Sequence, residues 1–590
     1  MIRRRKRNWR KLTRVSSAKI SRGGFFIVQF LFVSIVFILI ARLYDIQINK
    51  SAQFAKKAEA IHETEVILKP QRGLIYCHDK DGSLIPIAIN KKYYSIFAVP
   101  KEIENPSETT QLLATLLPLS EEEILKRIDK PGDPYEPLLK KVEDEDLIAK
   151  IKEANIKGIY IREEKYRYYP LENFAAQVIG FVAEGDDNKV KGRYGLEAYY
   201  EDILAGKTGE FSGVRDALGR FIRSLRNKEV SVVDGLSLRT TIDKNVQFAA
   251  EKALANLIKG RKATKGTIIV MEPQTGKILA LANWPTFNLN KYNEVKDYSV
   301  FRNYAIEERY EPGSVVKPLT MAAGIDLGKV TPETTYVDKG YFKVGGHTLT
   351  NYRQEVFGKV NMRRVLEMSI NTGAIFVEQQ IGGNNLRKYF KKFGLDSKTG
   401  IDLPDEITGD LSNLEYPKAN PSSFVTASYG AGIAITPMEL IRAYSAIANK
   451  GLMVTPYILE GVENRFRAYT PVTAPEPQRV LSPETAETLT SMLVGVIENG
   501  FGGNAKIKGY SLAGKTGTAF IPFQGERGYS NDVIHTFVGF FPVSNPRFLI
   551  LVKMNKPQWG ADAASHTVTL AFKEVERFLI NYYNIPPDEK

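Results

Sequence analysis

Apolar positions in this chain first gather in one unbroken block. Residues 25–41, FFIVQFLFVSIVFILIA, carry no charge and are bounded by Arg22 and Arg42. A helix through this block is apolar on every face, unlike the one-sided stripe of a surface helix. Seventeen residues at about 1.5 Å each give about 25 Å, a little short of a ~30 Å hydrocarbon core. A snorkelling Arg42, with Leu43, Tyr44 and Ile46 at the interface, makes up the difference. The block reads as a transmembrane helix. A signal peptide fits less well, because the apolar region is too long and the bulky ARLYDIQ offers no small-x-small cleavage site.

Beyond the block the pattern takes on helical spacing over 46–62, then shortens. TEVILKP, GLIYCHD and LIPIAINKKYYSIFAV are β-branched and aromatic runs separated by PQRG and DKDG turns, so they read as strands. Residues 101–155 turn helical and charged, with a Ser-x-x-Glu cap signal in SETTQLLATLLPLSEEEILKRI. Strands return at GIYIREEKYRYYP, and a mixed stretch runs to about 222. LSLRTTIDKNVQFAAEKALANLIKG predicts a strand entering a long helix, with a domain boundary near 240. Next comes a hairpin, GTIIVMEPQTGKILALANWP, turning at 273–276. Helices are predicted over 314–327, 361–381, 383–393 and 437–450. YSLAGKTGTAF, HTFVGFFPV and FLILVKMN then give three strands, and AFKEVERFLINYY a closing helix. This order predicts an α+β domain whose sheet is completed by both of its ends.

Charge sharpens this picture. The net charge is +14, but residues 1–24 hold ten Lys or Arg and no acid. The remainder carries 71 basic and 67 acidic residues, which removes most of the case for a nucleic-acid partner. A basic tail ahead of an apolar helix keeps the N-terminus cytoplasmic, so everything after about residue 45 lies outside. At 590 residues the chain should hold two to four domains. The single cysteine, Cys77, excludes an intramolecular disulfide and reads as a small half-buried residue. Five scattered histidines lack metal-ligand spacing, so neither a metal nor a cofactor is expected.

Candidate chemistry centres on YEPGSVVKPLT, residues 310–320. Pro318 is tolerated only near a helix start, so the predicted helix begins at about Ser314, with Lys317 one turn on along the same face. A second Ser-x-x-Lys, Ser16 to Lys19, lies in the cytoplasmic tail with no domain around it. For Lys317 to take a proton from Ser314 it must be neutral, which burial and a second cation would achieve. Lys-Thr-Gly occurs at 207–209, 398–400 and 515–517, and only the last lies in a predicted strand. There Thr516 and Thr518 share a face suited to a carboxylate, Lys515 points the other way, and Gly517 admits a peptide to the strand edge. Ser369-Ile-Asn371 reads either as a junction between helices or as a loop presenting a hydroxyl and an amide to the same cleft.

The ordered set Ser-x-x-Lys, Ser-x-Asn, Lys-Thr-Gly-Thr, separated by 55 and 146 residues, resembles the signature of penicillin-binding proteins and serine β-lactamases. Flanking text agrees: TGKILALANWP, SYGAGIAITPMELIRAYSAIANKG and HTFVGFFPVSNP. PQRGLIY and RYGLEAYYEDILAGKTG look like pedestal motifs of class B penicillin-binding proteins. The resemblance implies a cytoplasmic tail (1–24), a transmembrane helix (25–44), an elongated mixed α/β pedestal (45–240) and a transpeptidase domain with an antiparallel sheet flanked by helices (241–583). It implies a single-pass plasma-membrane D,D-transpeptidase that acts on D-Ala–D-Ala stem peptides and is acylated by β-lactams. Ser314 would be the nucleophile and Lys317 the base, while Ser369 and Lys515 would relay protons. Asn371 would bind the substrate amide, Thr516 and Thr518 the carboxylate beside Gly517, and the N–H groups of Ser314 and Thr518 the oxyanion. A glycan polymerase of the SEDS type and other divisome proteins are the implied partners. HTFVGFFPVSNPRFLILVKMNKP looks like the division-specific branch. Two departures stand out: Cys77-His78 replaces the family's usual Asp-Arg, and RNYAIEERY lacks the usual Asn-Arg-Ala order.

Other readings remain open at this point. An elongation-type transpeptidase or a D,D-carboxypeptidase would share every motif. A non-catalytic scaffold or penicillin sensor would keep the anchor without the chemistry. A glycosyltransferase domain is not expected, because no Glu-Asp-x-x-Phe segment precedes residue 240.

Overall fold

In the computed structural model, residues 22–53, 63–185, 190–215, 221–222, 228–523, 525–526, 528–558 and 563–588 are described. They divide into two units. In the first, the apolar block is a helix, Arg22–Tyr44, continued by a π-helical turn Asp45–Asn49. The stretch Phe25–Asn49 contains an 18-residue window with a mean hydropathy of 2.6 and is long enough to cross a membrane. The helix expected over 46–62 is described only to residue 53; the rest lies outside the described residues. The same unit holds an antiparallel sheet of Glu63–Leu68, Gly209–Arg215 and Lys228–Val230, with Phe221–Ile222 on the second strand.

The second unit holds Pro70–Lys207 and Asp234–Lys590. Strand Ser237–Asp243 straddles residue 240, pairing with Ile75–His78 on one side and Leu459–Glu463 on the other, so the sheet continues across that position. Cys77 is fully buried on this sheet, and His78 Nε2 lies 2.7 Å from Glu460. The stretch 101–155 is not helical throughout. Its helices are Pro106–Leu116, Glu121–Ile128 and Glu145–Ala154, but Glu136–Val142 is a strand paired with Leu84–Ala98. The turn residues of KPGDP break the helical run ahead of that strand. The expected cap is present as a reciprocal box between Ser120 and Glu123.

C-terminal to this, helix α1 (Lys244–Arg261) starts at Asp243, whose carboxylate accepts the N–H groups of Asn245 and Val246. Strands β1 (Lys265–Met271) and β2 (Ile278–Trp284) form the predicted hairpin. Helices α2 (Lys317–Asp326) and α3 (Asn371–Ile381) follow. Strands β3 (Ala513–Pro522), β4 (Tyr529–Phe541) and β5 (Phe548–Asn555) and helix α4 (Val568–Tyr582) close the chain. The five strands form one antiparallel sheet in the order β2-β1-β5-β4-β3. Both faces are covered, which explains why these strands read as continuous apolar runs. On β5, Phe548, Ile550, Val552 and Met554 pack with α1 and α4, while Leu549 and Leu551 face the other core. This topology leaves β3 on the edge of the sheet, beside the turn that leads into α2.

Candidate active site

Ser314 lies on a 3₁₀ turn, Gly313–Val316, directly ahead of α2. This revises the expected helix start. α-Helical bonding begins at Lys317, because the Lys317 N–H closes a tight i→i+3 bond to the Ser314 carbonyl and Pro318 has no N–H to extend the helix backward. The serine therefore sits one turn ahead of the α-helix and not at its first residue. Tyr444 holds this turn by donating from its hydroxyl to the Val315 carbonyl at 2.7 Å, and the Gly313 N–H donates to Gly430 O at 3.1 Å.

Two glycines let the turn dock on β3. Gly313 has φ +59°, and a Cβ there would lie 3.1 Å from Thr518 O. A Cβ on Gly517 would lie 2.9 Å from Pro312 O and 3.0 Å from Val315 Cγ1. Gly517 was expected to make room for substrate; both glycines make room for the serine turn itself.

Lys317 is 1% exposed, and its Nζ donates to Ser369 O, to Ser369 Oγ at 3.2 Å and to Asn371 Oδ1 at 2.7 Å. Lys515 is fully buried on β3 and donates to the same Ser369 Oγ at 3.0 Å and to Thr516 O at 3.0 Å. One hydroxyl thus bridges two lysines. Burial, and next the positive charge of Lys515, hold the Lys317 ammonium well below its ordinary pKa. Burial alone brings Lys515 down to about 7. A hydroxyl that accepts N–H groups from two lysines still has its own proton to donate, so Ser369 can carry a proton between the site and either lysine.

This bridge depends on a backbone feature not legible in the sequence. Helix Met362–Glu367 ends, Ser369 takes a left-handed conformation (φ +53°), and α3 begins at Asn371. A non-glycine residue seldom adopts that conformation; here it aims both the carbonyl and the hydroxyl of Ser369 at Lys317. The helix predicted over 361–381 is thus broken at Met368–Ser369–Ile370, just before the Asn371 junction. Asn371 is fixed from its other side, where Nδ2 donates to Thr350 O at 2.9 Å.

The Ser314 hydroxyl makes no side-chain hydrogen bond to a described residue, and the bonds of Lys317 go to Ser369 and Asn371. Thr516 and Thr518 alternate with Lys515 along edge strand β3, and Thr518 Oγ1 accepts the Ala564 N–H at 3.2 Å. Of the other Lys-Thr-Gly triplets, 398–400 lies in a loop where Thr399 donates to the Glu406 carboxylate. Sequence reasoning did not single out Tyr444, Gly430, Thr350 or Ala564. Only Gly430, in the glycine-rich SYGAG text, carried a local signal.

A serine whose hydroxyl bonds to no described side chain, a buried lysine of lowered pKa and a second cation behind a bridging hydroxyl form a set of groups suited to serine acyl transfer. The family model described as "Penicillin binding protein transpeptidase domain" matches residues 266–575, and that described as "Penicillin-binding Protein dimerisation domain" matches residues 67–240. Stage V sporulation protein D of Bacillus subtilis is 32% identical over 570 residues, covering 94% of this chain and 85% of that protein. Peptidoglycan D,D-transpeptidase FtsI of Escherichia coli is 28% identical over 561 residues, covering 93% and 90%. The crystal structure of penicillin-binding protein 2X from Streptococcus thermophilus shares the fold, with a TM-score of 0.73 at 22% identity, covering 89% of this chain and 81% of that one. The chain belongs to the class B penicillin-binding proteins and carries their transpeptidase domain.

Proposed function

We propose that this protein is a membrane-anchored peptidoglycan D,D-transpeptidase that builds septal wall through a Ser314 acyl-enzyme. The observation that carries the chemistry is the Lys317–Ser369–Lys515 bridge beside the unengaged Ser314 hydroxyl. Neutral Lys317 takes the Ser314 proton as the oxygen attacks the penultimate D-Ala carbonyl of a stem peptide. The N–H groups of Ser314 and Thr518 hold the oxyanion, and Asn371 holds the peptide amide. Thr516 and Thr518 bind the terminal carboxylate, with the peptide laid along β3 past Gly517. The proton returns through Ser369 to the departing D-alanine nitrogen, with Lys515 as the second cation. An amine of a neighbouring strand then attacks the ester, forming the cross-link and freeing Ser314. A β-lactam follows the first half of this path and stays attached.

The apolar helix supports an anchor in the plasma membrane, with residues 1–24 cytoplasmic and a pedestal (45–240) and transpeptidase domain (241–583) outside. The septal assignment draws support from the relatives named FtsI, which match over 93% and 95% of this chain, and brings with it a SEDS-type polymerase and divisome partners. The chemistry is tested by incubating the protein and its Ser314→Ala variant with a fluorescent penicillin and reading intact mass. One stable adduct absent from the variant supports the acyl-enzyme; a rapidly decaying adduct points to a hydrolase, and none to a scaffold. Depletion in the host separates the roles. Filaments support the septal reading, rounded cells an elongation role, and a defect confined to sporulation excludes both.

A further inference from the structure

A buried carboxylate outside the catalytic set stands behind Asn371. Asp338 ends the short strand Thr335–Asp338, which pairs with Gly358–Asn361, and is 2% exposed. A carboxylate taken out of water needs donors on both oxygens. Here Oδ1 accepts the Gly340 N–H at 2.9 Å and the Thr372 hydroxyl at 2.6 Å. Oδ2 accepts Asn351 Nδ2 at 3.0 Å and the Phe357 N–H at 2.8 Å. All four donors are neutral. Three lie on the segment between the two strands, and the fourth is the second residue of α3.

The carboxylate reaches the Ser-x-Asn motif by two routes. One is direct, through Thr372 beside Asn371. The Thr372 proton goes to Asp338, so its oxygen accepts from the Tyr336 hydroxyl at 3.1 Å. The other runs through Asn351. Its two N–H groups go to Asp338 Oδ2 and to Glu355 O, which are acceptors only, so its oxygen must turn to α3. There it accepts the Thr372 N–H at 3.1 Å, a helix-end donor that the N-cap residue, Ile370, has no oxygen to satisfy. Fixing Asn351 also fixes the preceding carbonyl, Thr350 O, which accepts Asn371 Nδ2 at 2.9 Å. With its nitrogen held there, Asn371 presents Oδ1 to Lys317 at 2.7 Å. The second N–H of Nδ2 is left for a substrate carbonyl.

Resting on the function proposed above, we propose that Asp338 is a positioning residue for recognition of the substrate amide. It holds Asn351 and the first turn of α3 in one register, and so sets the Asn371 amide with its oxygen toward Lys317 and its nitrogen toward the donor. Asp338 acts only through Thr372, Asn351 and Thr350; it lies behind Asn371 and contacts neither Ser314 nor Lys317.

The test uses the full chain in detergent and two penicillins. Benzylpenicillin carries a side-chain amide; 6-aminopenicillanic acid lacks it. Second-order acylation rates are read by intact mass. The wild type should favour benzylpenicillin about tenfold, equivalent to about 1.4 kcal/mol. Asp338→Asn sets an NH2 group against two of the four donors, and the preference should fall to within about twofold. Thr372→Val removes the hydroxyl route and should lower it in the same direction, whereas Thr372→Ser keeps that hydroxyl and should restore it. The preference is a ratio within one protein, so a smaller folded fraction cannot mimic its loss. If Asp338→Asn fails to fold, Thr372→Val against Thr372→Ser decides. Equal rates in the wild type, a preference kept in a folded Asp338→Asn, or valine and serine variants that behave alike overturn the positioning role. Absence of acylation by either penicillin in the wild type would instead overturn the function on which it rests.

Discussion

Replacing Lys515 with methionine removes one charge from the bridged pair and should move the pH dependence of acylation in a calculable direction. The two Nζ atoms lie 3.2 and 3.0 Å from the Ser369 hydroxyl oxygen. With a roughly tetrahedral arrangement around that oxygen they are about 5 Å apart, and at an effective dielectric of ~20 their repulsion is about 3 kcal/mol. Desolvation lowers the Lys317 pKa first, and the Lys515 charge lowers it further. Without that charge the Lys317 pKa rises, so the base stays protonated to higher pH. The acid limb of the acylation profile should then move upward. The assay is the second-order rate of penicillin acylation from pH 5 to 10 in Lys515→Met against wild type. The position of the limb is the readout, because methionine also alters the overall rate. Lys515 itself titrates near 7, so the shift belongs to the range below that value, where it keeps its proton. A limb that stays in place or moves down would refute the lysine coupling.

Ser314→Ala should abolish the covalent adduct yet leave thermal unfolding within about 0.5 kcal/mol of wild type, since the hydroxyl bonds to no described side chain. Gly517→Ala places a Cβ 2.9 Å from Pro312 O; forcing the serine turn off β3 should cost about 1–3 kcal/mol in urea unfolding and slow acylation at least tenfold. Glu576 is fully buried on α4, neither carboxylate oxygen has a hydrogen-bond partner among the described residues, and burial lifts its pKa to about 8. A carboxyl whose pKa is higher folded than unfolded contributes stability below its unfolded value that is lost as pH rises through the folded one. Wild-type stability should therefore decline between about pH 4.5 and 8, and Glu576→Gln should remove roughly 2–4 kcal/mol of that decline in denaturant titrations at each pH.

The parts of this protein legible in its sequence are those set by near neighbours along the chain. The apolar block showed its helix because seventeen uncharged residues admit few alternatives. The strands of the catalytic sheet were visible as apolar runs, and the cap at Ser120 and Glu123 as a four-residue pattern. The candidate site was recognisable as an ordered set of motifs, each weak alone. Two readings fell short for lack of local signal. Glu136–Val142 was assigned with its helical surroundings, since its pairing partner lies some 40 residues upstream. The helix start at Ser314 was inferred from Pro318 alone, which limits where a helix may begin but does not distinguish an α-turn from a 3₁₀ turn.

The sequence by itself determined which residue types were present, in what order, and on which elements most of them would sit. The tertiary structure decided how they act together. Lys317, Ser369 and Lys515 are separated by 52 and 146 residues, and their hydrogen bonds exist only once the helices and the edge strand have packed. The same packing buries both lysines and so lowers their pKa values, holds Ser369 in a left-handed turn, and places Gly313 against Thr518 and Gly517 against Pro312. Burial, charge coupling and close backbone approach depend on distance in space; a linear pattern reports distance along the chain.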